Sequence, residues 1–152
     1  MIFQRINRSN PERVFITVKN GYSTASLTNG QSVIWDSGDA DGVNVTRISG
    51  AAVAAAFAGV IAQTIAAGEY GLMQIYGYHA AVIVDSNTAV DIAALSPLFA
   101  ITSGFHLEGP NLTAGGTEEQ GLFGYTHSYA ISLEAYGSVG TTGTVKAMIR
   151  AM

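Results

Sequence analysis

The chain has no cysteine, three prolines and one tryptophan, and only 12% of its 152 residues are charged. Without cysteine there is no thiol catalysis, no zinc–thiolate site and no disulfide staple of the kind small secreted domains use, which suits assembly in a reducing cytosol. A chain of this length buries a sizeable core without such staples. Average soluble domains carry about 25% charged residues, so the surface here is either unusually bland or partly buried against a partner. We expect the second. Long apolar runs are also missing. The longest, Ala51 to Ala62, is mostly alanine and ends at Gln63 and Thr64, short of the roughly 20 residues a membrane-spanning helix needs. The opening MIFQRINRSNPER lacks the apolar stretch of a secretory signal. No membrane partner is expected.

The charge that is present is unevenly spread. Arg5, Arg8, Arg13 and Lys19 stand against Glu12 in the first 20 residues, whereas Arg47, Lys146 and Arg150 face ten acids in the rest, for a net charge of −4. An acidic body without a basic stripe argues against nucleic acid as partner.

Residues 1–12 are polar, contain Pro11 and read as an arm; residues 13–152 read as one β-rich domain. From Arg13 to Lys19 the chain alternates, with Val14, Ile16 and Val18 toward the core and Phe15 outward, and Asn20-Gly21 turns it. Val33–Trp35 and Val43–Ile48 read as short strands around an Asp- and Gly-rich turn. A short helical turn near 50–56 precedes a strand from about Phe57 to Ile65. Ala66–Glu69 is a hairpin connection into Tyr70–Tyr76, and Ala80–Val84 reads as a strand covered on both faces. Pro97 argues against a regular central strand nearby; residues 99–108 are a further strand candidate and 109–120 a polar loop. At the C-terminal end, Ile131, Leu133 and Ala135 alternate with Ser132, Glu134 and Tyr136. A second alternating run places Val145, Ala147 and Ile149 on one face. Pairing the two about Gly140 sets Glu134 opposite Lys146 on the outward face. Eight to ten short strands and at most one short helix, punctuated by 18 glycines, predict an all-β fold. The expected architecture is a single small antiparallel barrel or sandwich.

Chemistry-bearing residues are scattered. His79 lies in an apolar strand and reads as packed. His106 and Glu108 share a strand face, but two ligands do not make a metal site. His127 and Ser128 are adjacent, so in a strand they point apart. Asp36, Asp39 and Asp41 have the alternation of a calcium loop without its ligand-bearing Glu and, like Glu118-Glu119, read as a solvated turn. Gly38 and Gly42 lack the Gly-Lys-Ser/Thr of a phosphate loop. No catalytic, metal or cofactor site is expected, and the chain does not read as an enzyme. The aromatics are more telling. Tyr70, Tyr76 and Tyr78 form a stripe with Leu72 at strand period. Core packing is one account of it; a subunit interface, where Tyr is enriched, is the other. Phe15, Phe3 and Ile6 add to the second.

Three ordered stretches carry a resemblance: ERVFI with VKN (12–20), FAGV followed by TIAAGEYGLMQIYGYHAAV (57–82), and SLEAYGSVGTTGTVKAMIR (132–150). Together they resemble the head decoration, or cement, proteins of tailed bacteriophages. The resemblance implies a β-barrel or β-tulip body that forms homotrimers on the outer surface of the capsid. It would be assembled in the host bacterial cytoplasm and carried on the virion. There it would clamp major capsid proteins and stabilise the expanded head against internal DNA pressure. It also implies that the N-terminal arm engages the capsid protein, with Arg5 and Arg8 as charge contacts and Phe3 and Ile6 as apolar ones. Two other readings stay open: a different phage head or tail assembly component, and a carbohydrate-binding or adhesin-like β module using Trp35 or the tyrosine stripe.

Overall fold

The computed structural model describes residues 12–39, 41–49, 56–86, 91–100, 104–109, 128–137 and 140–151. Among the described residues there are nine strands: β1 Arg13–Asn20, β2 Ser32–Trp35, β3 Asn44–Thr46, β4 Phe57–Ile61, β5 Tyr70–Asp85, β6 Pro97–Leu98, β7 Leu107–Glu108, β8 Ala130–Ser132 and β9 Thr142–Arg150. No α-helix occurs among the described residues, and the helical turn expected near 50–56 falls almost wholly outside them. The all-β expectation holds, and the barrel is the right alternative. Strands pair in the order β1-β3-β2-β4-β5, and β1 also pairs with β5, which closes a five-stranded barrel. Beyond it β5 continues into β9, β8 and β6, with β7 alongside. The fold is not purely antiparallel, because β1–β3 and β5–β7 run parallel.

Two apolar cores follow from this layout. Val18, Leu27, Val33, Val45, Ala58, Ile61, Ile65 and Met73 fill the barrel. Outside its wall, Ile34, Phe57 and Val60 meet Val82, Val84, Val145, Ala147 and Ile149 in a second core. β2 shows the logic, since Val33 points into the barrel and Ile34 out to the second layer. β4 is buried along its whole length for the same reason, and a strand covered on both faces must be apolar throughout. Its pairing with β2 shifts register between Val33 and Ile34, leaving Ala58 as an extra residue. Such a bulge breaks strict alternation. The strand expected from about Phe57 to Ile65 starts where it should and ends at Ile61.

β5 crosses from barrel to second layer at Gly77. Pairing with β1 ends there, at Arg13↔Gly77, while pairing with β9 has begun at Tyr76↔Arg150. Gly77 has φ of 98°, and a Cβ would collide with the Glu12 carbonyl, so only glycine fits this bend. The buried amide of Gln74 spans it, Nε2 donating to the carbonyls of Tyr76 and Tyr78 at 3.1 Å each.

The C-terminal strands pair antiparallel as expected, but one residue out of the expected register, so that Leu133 and not Glu134 lies opposite Lys146. β8 and β9 are antiparallel, and Lys146 Nζ lies 2.9 Å from Glu134 Oε2. The inward residues of β8 are Ala130 and Ser132, however, not Ile131 and Leu133; Leu133 is 37% exposed. Ser132 pairs with Ala147, which fixes it on the core side, and its hydroxyl is satisfied by the Glu134 carbonyl at 2.5 Å. After Ser132 the strand ends, which returns Glu134 to solvent beside Lys146. Pro97 occupies β6 at the sheet edge, where a missing N–H is tolerated. The candidate strand over 99–108 reduces to β7 and to bridges at Phe99↔Glu108 and Ile48↔Gly104.

Candidate interaction surface

The histidines and carboxylates do not converge on a reaction centre among the described residues. His79 is buried; its Nδ1 accepts from the Ala81 N–H at 3.1 Å, at the register shift of β5 against β9. Burial, reinforced by the nearby Arg13 charge, holds its pKa below the ordinary value, against an opposing hydrogen bond at the Ile61 backbone. The imidazole is thus kept neutral and structural. His106 Nε2 sits 3.4 Å from Glu108 Oε1 and 3.8 Å from Asp85 Oδ2, at the junction of β5 and β7. No group of three or more His, Cys, Asp or Glu among the described residues is arranged to hold a metal ion. In the acidic turn, Asp41 Oδ1 accepts from the N–H of Val43 and of Asn44, and Asp36 Oδ1 accepts from Gly38 N–H. The backbone donors at Asn44 and Val43 lower the pKa of Asp41. These carboxylates shape the chain reversal, as short acidic side chains do in turns. Ser128 is half-buried; His127, Glu118 and Glu119 lie outside the described residues, as do Phe3, Arg5, Ile6 and Arg8.

The tyrosine stripe lies on the outside of the barrel. β1 and the first half of β5 form an antiparallel ribbon in which Ile16 and Met73 face inward. Lys19 opposite Tyr70 and Thr17 opposite Leu72 face outward. Seven large apolar side chains are exposed among the described residues, and five belong to this ribbon: Val14, Phe15, Tyr70, Leu72 and Tyr76. Tyr70 is 62% exposed, which removes core packing as its explanation. Tyr78, the fourth predicted position, is only half-buried and lies 5.5 Å beneath the Arg13 guanidinium. Gln74 belongs to the same series yet is buried, because it spans the bend described above.

Val14 is a correction. The sequence places it toward the core, but it is 37% exposed. The register of β1 against β5 shifts between Val14 and Phe15, leaving Ile75 without a partner on β1, and both residues reach solvent. Alternation alone carries no signal of that shift. β3 pairs only with Lys19 and Asn20, so along Arg13–Val18 no described strand takes up the far edge of β1. Among the described residues, exposed apolar side chains thus sit beside a strand edge with no strand partner, as in surfaces that accept an added strand or a second subunit.

No protein-family model matches the chain, and none of the curated proteins matches it.

Proposed function

We propose that this chain is a structural component of a phage virion, binding the outer surface of the capsid as trimers and stabilising the expanded head. The observation that carries the reading is the exposed apolar ribbon of β1 and β5, along part of which no described strand pairs with the edge of β1. Phe15, Tyr70 and Tyr76, with Leu72, would form the contacts between copies, and the adjoining segment 1–12 would reach the major capsid protein. Supporting features are the closed barrel, which gives a rigid carrier for that face, and the low charge of the chain. A surface of this kind acts by burying apolar area, roughly 25 cal/mol per Å2. Three such bodies held together multiply weak lattice contacts through effective concentration. Because the trimer would bind the assembled shell and not its separate subunits, it raises shell stability by mass action. In this reading no bound compound is transformed and no cofactor is needed.

The test is to mix the purified protein with expanded, undecorated heads and image them. Occupancy across the whole lattice at three-fold positions, with a raised disassembly temperature, is the expected result. Attachment at a single vertex would assign the chain to another head or tail component instead. Absence of binding ends the capsid reading.

A further inference from the structure

A second feature lies away from the ribbon. Beside β2 and β3 is a cleft of about 560 Å3, lined in part by Tyr22, Trp35, Asp36, Thr46, Arg47 and Ser49. That volume falls within the roughly 300–1,000 Å3 of small-molecule sites. Its walls are organised. Tyr22 packs edge-on against Phe105 with ring centroids 5.3 Å apart, and the Arg47 guanidinium lies 6.0 Å over the same Phe105 ring. The pKa of the Tyr22 hydroxyl is lowered, chiefly by the Thr24 side chain and further by the nearby Arg47 charge. Trp35, half-buried, rests one side on the barrel core. Asp36 is oriented by the Gly38 N–H at its Oδ1, which leaves Oδ2 over Gly21. Among the described residues Asp36 forms no ion pair with a cation and Arg47 none with a carboxylate, though both line the same cleft.

The chemistry narrows the ligand. A phosphate or nucleotide would meet the Asp36 carboxylate, and a wholly apolar molecule would desolvate two charged groups without pairing them. A cation site would need more than the single carboxylate among the described lining residues. What suits one carboxylate acceptor, one planar donor, four hydroxyls (Tyr22, Ser37, Thr46 and Ser49) and two aromatic rings is an uncharged ligand with hydroxyls on its rim and an apolar face. A pyranose ring has that character. Its axial C–H groups lie against the negative face of an aromatic ring, and adjacent hydroxyls donate to a carboxylate and accept from a guanidinium.

We propose that the cleft bounded by Tyr22, Trp35, Asp36 and Arg47 is a binding site for a neutral saccharide. It shares no residue with the β1–β5 ribbon, so it stands or falls separately from capsid binding. Trp35 is the only tryptophan in the chain, and tryptophan emission, excited selectively over the tyrosines, therefore reports on this cleft.

The experiment titrates the full chain with neutral oligosaccharides of glucose, galactose and N-acetylglucosamine, following Trp35 emission and, in parallel, heat by calorimetry. A saturable emission change with at least one series is expected. Asp36→Asn and Arg47→Gln should each weaken it about tenfold or more, as loss of a charged hydrogen-bond partner does. Asp36→Asn keeps the shape of the side chain and Arg47→Gln keeps a polar amide on a shorter stem; retention of the fold is checked by circular dichroism. Trp35→Phe keeps a ring against the barrel core and should retain partial binding by calorimetry. If no series gives a saturable response by either method, the site does not exist. If the two polar variants bind as well as wild type, the sugar sits elsewhere and the assignment fails.

Discussion

The barrel has two outer sides, and they differ in what covers them. On the β2–β4 side Ile34, Phe57 and Val60 leave the barrel wall and are buried under β9, β8 and their neighbours. On the β1–β5 side the equivalent outward positions, Phe15, Tyr70, Leu72 and Tyr76, are left 37–62% exposed. One strand takes part in both. β5 shows tyrosines to solvent before Gly77 and buries Val82 and Val84 in the second core after it. Among the described residues, then, one barrel wall is covered and the other is not. An apolar face that these residues leave bare is the surface to test for a partner.

The largest test of this contrast is on the covered side. Phe57 stacks on Tyr129 with centroids 4.6 Å apart and is 5% exposed. Phe57→Ala should cost about 3–5 kcal/mol by urea unfolding, through lost transfer energy and the cavity left behind. A loss like that of a surface substitution would mean the second layer is not a core at all. Next comes the junction. Gln74→Leu keeps the side-chain volume but strips two carbonyls of their donor, and should cost about 1–3 kcal/mol. A neutral result would show that the bend at Gly77 holds without the amide.

A third test concerns His79, where β5 enters the second layer. Its folded pKa lies below the ordinary value of 6.5, chiefly through burial. Below that ordinary value the unfolded chain takes up a proton that the folded chain refuses, so stability falls as the pH drops. The loss begins near 6.5 and continues to the lower folded value. Unfolding midpoints measured between about pH 7 and about pH 5 should decline more steeply for wild type than for His79→Gln. Parallel profiles would mean that the imidazole charges in place.

Much of the fold is legible in the sequence where a strand has one covered face. β1 from Ile16 onward, β9 and the antiparallel sense of β8 against β9 follow from alternation, whereas the register of that pair is one residue off symmetry about Gly140, and Glu134 meets Lys146 only because β8 ends at Ser132. What alternation hides is any place where the register slips. The extra residue at Ala58, the unmatched Ile75 and the buried Ser132 each depend on a partner strand far away in the chain. Closure of the barrel by β1 against β5 is likewise set by pairing between distant segments. The tyrosine stripe could be found from its period of two, but whether it faced the core or solvent could not, because aromatic side chains suit both. The cleft gave less warning still. Tyr22, Trp35, Asp36 and Arg47 come from three separate segments, and of these the sequence marked only Trp35, as a platform, and Asp36, as part of a solvated turn.

The smallest effect on stability belongs to the bare side, and there the contrast is sharpest. Changing Phe15, Tyr70 and Leu72 to Ser should alter unfolding free energy by about 0.5 kcal/mol or less per site, the usual range for surface positions. Their neighbours inside the barrel, Ile16, Gly71 and Met73, are untouched by the change. If the face joins copies or meets a lattice, the same three substitutions should abolish the trimer in light scattering and remove occupancy on expanded heads. Large destabilisation without loss of assembly would reverse the assignment, making the ribbon a part of the fold's own energetics. Loss of assembly in a protein that melts like wild type separates the two sides cleanly, because one side then serves folding and the other serves association.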